Sequence, residues 1–303
     1  MNNTLTFTIV DVFTRERFAG NPLAVFHDAR NLDPVQMQQI AREFGFSETA
    51  FILPSRRPKH HAQVRIFTPL EEIPFAGHPN IGAAFVMANH DTAAACALPE
   101  TALFDEMGGD VRITALREAN AVTGAELEVP QPVQKLGDIP ARFVARCLGL
   151  AVTAISTRRI EPCIASVGLP FAFAELANLD ALGGITPDVA AFREAAGGAA
   201  RTVDGFAICA FVVLENAGEL FEIRSRVLSP LGHPAEDPAT GSAAAALGGL
   251  LVEASARASG KIRITQGVEI GRPGDIMVEV PPKGAPIRLR GHCVHVATGT
   301  LGV

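Results

Sequence analysis

Residues 65–85 read RIFTPLEEIPFAGHPNIGAAF, and residues 226–246 read RVLSPLGHPAEDPATGSAAAA. Each stretch opens with a basic residue at the head of a strand-like run and turns at a Ser/Thr-Pro-Leu corner. Each then crosses an acidic loop and reaches a Gly and a polar residue that start an apolar, small-residue helix. Gly77 and Gly241 stand 164 residues apart, about half of the 303-residue chain. Self-similarity over such a distance is the mark of a duplicated architecture. Two similar halves would each present a helix N-terminus, expected at one shared cleft. Glycine ahead of a helix is common, so these residues alone leave coincidence open.

Outward from the echo, residues 5–13 and 23–27 read as strands separated by the turn Gly20-Asn21-Pro22. A helix is expected over 34–44, capped by Asp33, with Pro34 at its first position and Gly45 at its end. Its face Met37, Ile40, Ala41, Phe44 has helical spacing and belongs to the core. Segments 48–53 and 61–68 read as strands, followed by a helix over 79–89 and strands near 101–105, 111–116 and 125–129. Pro130 and Pro132 mark a linker. The second half restarts with a helix over 140–148, then strands near 163–168, 206–214 and 221–228. A long Ala-rich helix over 242–258 precedes strands near 261–265, 275–280, 286–290 and 293–298. Many strands, few helices and no strict β-α-β alternation argue α+β.

Composition narrows the function. The chain carries 26 Lys plus Arg against 32 Asp plus Glu, a net charge of −6, with no basic run of the kind that neutralises phosphates. No nucleic-acid partner is expected. Hydrophobic content of 48% with 19% charged residues excludes disorder as the dominant state. Five cysteines, with no C-x-x-C, indicate neither a disulfide framework nor a zinc ribbon. Reduced thiols of a cytoplasmic protein are the expectation. No run approaches ~18 unbroken apolar residues, and Met1-Asn2-Asn3-Thr4 lacks a signal-peptide pattern, so no membrane partner is expected. The absence of Tyr removes any mechanism that needs a phenol.

A helix N-terminus carries unsatisfied N–H groups and partial positive charge, so two converging ones suit a small carboxylate. His78 and Ser242 each follow their glycine at a helix start; each is either a site residue or a loop-ending or capping residue. Asp237 is either a solvated turn residue or part of the same loop's chemistry. Glu48 is either an edge-strand charge or a general base. No G-x-G-x-x-G after a strand, P-loop, G-x-S-x-G elbow or H-E-x-x-H occurs. Adjacent His60 and His61, read on a strand, point to opposite sides and make a poor metal pair. No metal and no cofactor is expected.

FAGNPLAVF (18–26), FSETAF (46–51), FTPLEEIPFAGHPNIGAAF (67–85), EDPATGSAAAAL (236–247), ITQGVEIGRP (264–273) and the GHCVHVATGTL ending together resemble the phenazine-biosynthesis PhzF family, in order and over the whole chain. The resemblance implies the diaminopimelate-epimerase-like fold: two pseudo-symmetric halves, each a curved, mostly antiparallel sheet around a central helix, with the active site between them. The expected halves are 1–129, completed by 290–303, and 130–289. It further implies a cofactor-independent isomerase, working as a homodimer, that moves a proton within an acid such as trans-2,3-dihydro-3-hydroxyanthranilate. Glu48 matches the family's acid/base. His78, Asp237 and Ser242 match its assisting residues, and Gly77 and Gly241 its carboxylate-binding amides. Asn80 and the small residues after it lie where pocket shape varies. Isomerisation or epimerisation of a non-phenazine acid, and a silent small-acid binder, are the alternatives. The related epimerases carry a cysteine in each half, absent from both motifs here, so two-thiol racemisation is disfavoured.

Overall fold

The computed structural model describes residues 4–89, 98–119, 121–197 and 205–303. The elements run β1 (Thr4–Val12), β2 (Asn21–Phe26), α1 (Pro34–Phe44), β3 (Thr49–Leu53), β4 (Ala62–Phe67), β5 (Glu72–Ile73) and α2 (Gly77–Asn89). Next come β6 (Thr101–Glu106), β7 (Gly109–Glu118), β8 (Ala121–Glu128), β9 (Gln134–Asp138), α3 (Ala141–Leu148), β10 (Ile155–Ser156) and β11 (Cys163–Ser166). They continue with β12 (Pro170–Leu176), α4 (Leu179–Gly183), α5 (Val189–Ala196), β13 (Ile208–Ala217), β14 (Leu220–Leu228) and β15 (Glu236–Asp237). The last are α6 (Gly241–Ala254), β16 (Gly260–Gln266), β17 (Gly274–Val280) and β18 (Arg288–Gly302). Two compact units result, Met1–Pro130 with Leu289–Val303, and Gln131–Arg288.

In the first unit, β1 lies between β2 and β18, antiparallel to both. Pairing continues parallel to β3, antiparallel to β4, parallel to β6, then antiparallel through β7 to β8. β8 also pairs with β18, which closes the ring. Closure removes both sheet edges, the positions where unpaired strands recruit other chains. α2 packs against β1, β2, β3, β4, β7 and β8, and Gly77 through Met87 are all buried. A helix apolar on every side can only be a core helix. On the other face of the sheet, α1 sets Met37, Ile40 and Ala41 against Phe26, Phe51 and Phe67. With no Trp or Tyr in the chain, Phe forms this layer: Phe26 stacks on Phe51 at 5.0 Å, and Phe44 meets Phe7 edge-on at 5.0 Å. α1 itself forms as read: Asp33 accepts from the Gln36 N–H in a reciprocal capping box, and Gly45 closes the helix in the left-handed conformation.

The second unit repeats the order of pairings. β11 and β12 are antiparallel, β12 and β13 parallel, β13 and β14 antiparallel, β14 and β16 parallel, β16 and β17 antiparallel. α6 packs on β11, β12, β16 and β17 as the central helix. The echo is therefore structural, down to one ion pair. In the first unit Phe67 pairs with Glu72, and the Arg65 fork grips Glu72 at 2.7 and 2.6 Å. In the second, Leu228 pairs with Glu236, and the Arg226 fork grips Glu236 at 2.9 and 2.7 Å. Each bidentate clamp fastens the short strand that feeds the central helix.

Three local expectations differ. Segments 286–290 and 293–298 fall in one strand that starts at Arg288: β1 pairs with Cys293 through Gly302, and β8 pairs with the same strand. The long helix stops at Ala254, not at 258, where the Ser255 hydroxyl donates to the carbonyls of Leu251 and Val252 and ends the ladder. β12, α4 and α5 were not anticipated; Asn178 and Asp188 cap the two helices by accepting from Ala181 and from Ala190 and Ala191. No helix among the described residues is long and apolar enough to cross a membrane.

Candidate active site

In the first unit, the parallel register that sets Ala24 beside Thr49 brings the beginnings of β2 and β3 together. Asn21 opens β2, and Glu48 lies one residue ahead of β3, outside the strand in which the sequence suggested it. The first turn of α2 packs against the same two strands. His78 thereby reaches Glu48, with Nε2 3.5 Å from Oε2 and both side chains largely buried. His78 neither ends a loop nor caps; it is the second residue of a buried helix. Burial lowers its pKa to about 3, so the ring is neutral at working pH and carries one N–H. The contact with Glu48 is accordingly a dipole facing a carboxylate, not an ion pair.

Asn80, one step further along α2, is buried and donates to the Ala76 carbonyl at 2.9 Å, bracing the turn that carries Gly77 and His78. The residue that the resemblance places where pocket shape varies thus also braces this turn. Behind it lies Glu106, which sequence reasoning missed. Burial pushes the Glu106 carboxyl well above the usual carboxylate range; the Asn80 amide beside it opposes the shift and the Asp105 charge adds to it. A native pKa above the unfolded one means the folded state holds the extra proton, so stability declines as pH rises above the ordinary Glu range. Glu106→Gln removes that dependence. Its Tm should exceed the parent's at about pH 8, with the gap closing towards about pH 4. Equal Tm values at both would show that Glu106 ionises in the native protein without cost.

In the second unit, Asp237 accepts from the Thr240 hydroxyl at 2.5 Å. Gln266, fully buried, donates to the Asp237 carbonyl at 2.7 Å and accepts from the Thr240 N–H at 3.2 Å. Gly267, at φ +80°, lies so close to the Pro238 carbonyl that a Cβ would sit 2.5 Å from its oxygen. The Thr-Gln-Gly run at 265–267 thus clamps the loop ahead of Gly241, a role with no local signature in sequence. Thr240 holds the N-cap position of α6, so Ser242 is not the cap; it is a buried first-turn residue beside Gly241.

Thiol chemistry finds no support. Burial pushes the Cys147 thiol up to about 11 and Cys209 up to about 12, and raises Cys163 and Cys293 as well. These four are free and buried, none at the head of α2 or α6; Cys96 lies outside the described residues. His60 and His61 occupy the loop before β4, not a strand. His60 gathers with Asp105 and Asp110, but Arg57 already bridges those carboxylates at 3.1 and 2.5 Å. A cation there would have to displace a guanidinium.

The family model described as phenazine biosynthesis-like protein, PhzC-PhzF, matches residues 10–299. An uncharacterized isomerase of Mesorhizobium japonicum is 38% identical, the match covering 98% of this chain and 99% of the relative. A trans-2,3-dihydro-3-hydroxyanthranilate isomerase of Pseudomonas fluorescens is 33% identical over 97% of this chain and 98% of its own. The crystal structure of a Bacillus anthracis PhzF-family phenazine biosynthesis protein covers 99% of this chain and all of its own at a TM-score of 0.83 and 21% identity, a likeness of fold. A closed α+β ring around α2, its repeat around α6, and sequence similarity from end to end agree: the chain belongs to the PhzC-PhzF family and is an isomerase.

Proposed function

We propose that this isomerase shifts a proton within a small cyclic amino or hydroxy acid such as trans-2,3-dihydro-3-hydroxyanthranilate, with Glu48 as the single acid/base. The supporting observation is the Glu48 carboxylate held 3.5 Å from a buried, neutral His78. In the step, Glu48 takes a proton from a ring carbon next to an unsaturated system. The released pair moves along that system, and the same carboxyl returns the proton to another carbon on the same face. One C–H bond breaks and one forms; nothing is oxidised, so no electron acceptor enters. A neutral N–H beside the carboxylate orients it without the charge that would suppress its basicity. In the first unit the Gly77 amide at the head of α2 is proposed to bind a carboxylate; in the second, Gly241 at the head of α6 is proposed for carboxylate binding, with Asp237 and Ser242 as orienting residues.

The test is incubation with the dihydro-hydroxyanthranilate in heavy water, followed by mass spectrometry. Solvent deuterium in the product supports the reading. Exchange only into other small acids favours the alternative isomerase, which the 38% relative, named simply as an isomerase, also fits. Binding without any exchange indicates a silent binder. His78→Ala and Asp237→Ala should each raise KM and lower kcat together, since these residues are proposed to orient the base and the substrate. An effect confined to KM in both would assign them to binding alone.

A further inference from the structure

We propose that Asn21 is a positioning residue that holds His78 in the Nε2–H tautomer, so that the N–H faces Glu48. This rests on the reading of Glu48 as a base that begins ionised. The Asn21 side-chain nitrogen lies 3.5 Å from His78 Nδ1, and the Ser47 hydroxyl donates to the Asn21 oxygen at 3.5 Å. Asn21 is fully buried, and Ser47 and His78 nearly so. A neutral imidazole has one proton, so a donor on one nitrogen assigns the proton to the other. A carboxylate only accepts; an Nε2 lone pair facing it would be repelled, whereas an Nε2–H is attracted. The amide of Asn21 therefore presents its NH2 to Nδ1, and its oxygen is left for Ser47. The two Asn21 contacts are long, and the 3.5 Å approach of His78 Nε2 to Glu48 Oε2 is a facing pair without a formed hydrogen bond; contacts of this kind commonly tighten when substrate binds.

The same chain of contacts accounts for the Gly20-Asn21-Pro22 turn. Gly20 adopts φ +58° with its α-carbon tucked against the Val12 carbonyl, which delivers Asn21 inward at the head of β2. Orientation by tautomer is what the buried Asp of a serine-protease triad does for its histidine, where inversion costs about 10⁴-fold in rate. Here the histidine orients the base without carrying the proton, so a smaller loss follows.

The experiment uses the full chain with ¹⁵N-labelled histidine and reads the His78 ring nitrogens by two-bond proton–nitrogen correlation, without substrate. The parent should show a protonated Nε2 and a bare Nδ1. Asn21→Asp, which offers Nδ1 only an acceptor, should move the proton to Nδ1 and lower kcat at least about tenfold. Ser47→Ala, a milder change that leaves the turn intact, should split or average the His78 signals as Asn21 gains a second orientation. A bare Nε2 in the parent, or unchanged signals in both variants, would overturn the assignment. Because the tautomer is read without turnover, its failure is separate from failure of the Glu48 reading, which Glu48→Gln tests.

Discussion

Glu48→Gln should retain the fold and the bound substrate while deuterium exchange falls by about 10²–10⁴-fold, the usual loss when a general base is removed. The amide keeps the size of the carboxyl and still meets the His78 N–H through its oxygen, so the buried contact at 3.5 Å survives. What it lacks is a site for the proton. The substitution changes one side-chain atom and leaves the backbone entering β3 as it is, so Tm should stay close to the parent's. Exchange at the parent rate in a folded variant would remove Glu48 from the mechanism and send the search to Asp237 or His78. A loss of substrate binding would instead make Glu48 a recognition residue.

Gly20→Ala should produce a large loss of stability. A Cβ there would sit 2.2 Å from the Val12 carbonyl oxygen, at φ +58° where L side chains are disfavoured. The left-handed backbone costs about 1–2 kcal/mol and the overpacking about 1–3 more. In a chain of this size that corresponds to a fall in Tm of roughly 3–8 °C. The carbonyl belongs to β1, which cannot retreat because it is paired on both sides, with β2 and β18. Gly183→Ala is the control: it lies in α4 with nothing within 4 Å of a Cβ, and helix propensity predicts a neutral or slightly stabilising effect. Equal Tm values for the two variants would show that the Gly20 turn relaxes freely. If it does not, displacement of Asn21 should also disturb the His78 ring signals.

Some misses were readable. Asn178 and Asp188 are ordinary N-caps, and attention to them finds α4 and α5. Pro170 at the first position of a run rich in Phe and Ala is compatible with a strand start, as β12 is. The over-long reading of α6 came from alanine composition, which does not register that Ser255 turns its hydroxyl back on the helix carbonyls. Glu106 had no signal at all. A carboxylate in an ordinary strand–turn–strand pattern reads as solvated, and only the tertiary structure reveals that it is buried beside Asn80.

By itself the sequence determined the α+β class, the duplicated plan and the borders of α1, because each rests on short-range physics. Capping, turn chemistry and hydrophobic period act within a few residues, and the echo of Arg65 and Glu72 in Arg226 and Glu236 needs only comparison along the chain. Resemblance added the candidate residues. Tertiary structure alone decided what surrounds them: that His78 is neutral, that Asn21, 57 residues away in sequence, meets its ring, and that Gln266 clamps the loop of Asp237 from 29 residues away. Burial and hydrogen-bond partners depend on which strands lie side by side. The parallel joins of β2 to β3 and β14 to β16 bring together residues that no local pattern connects.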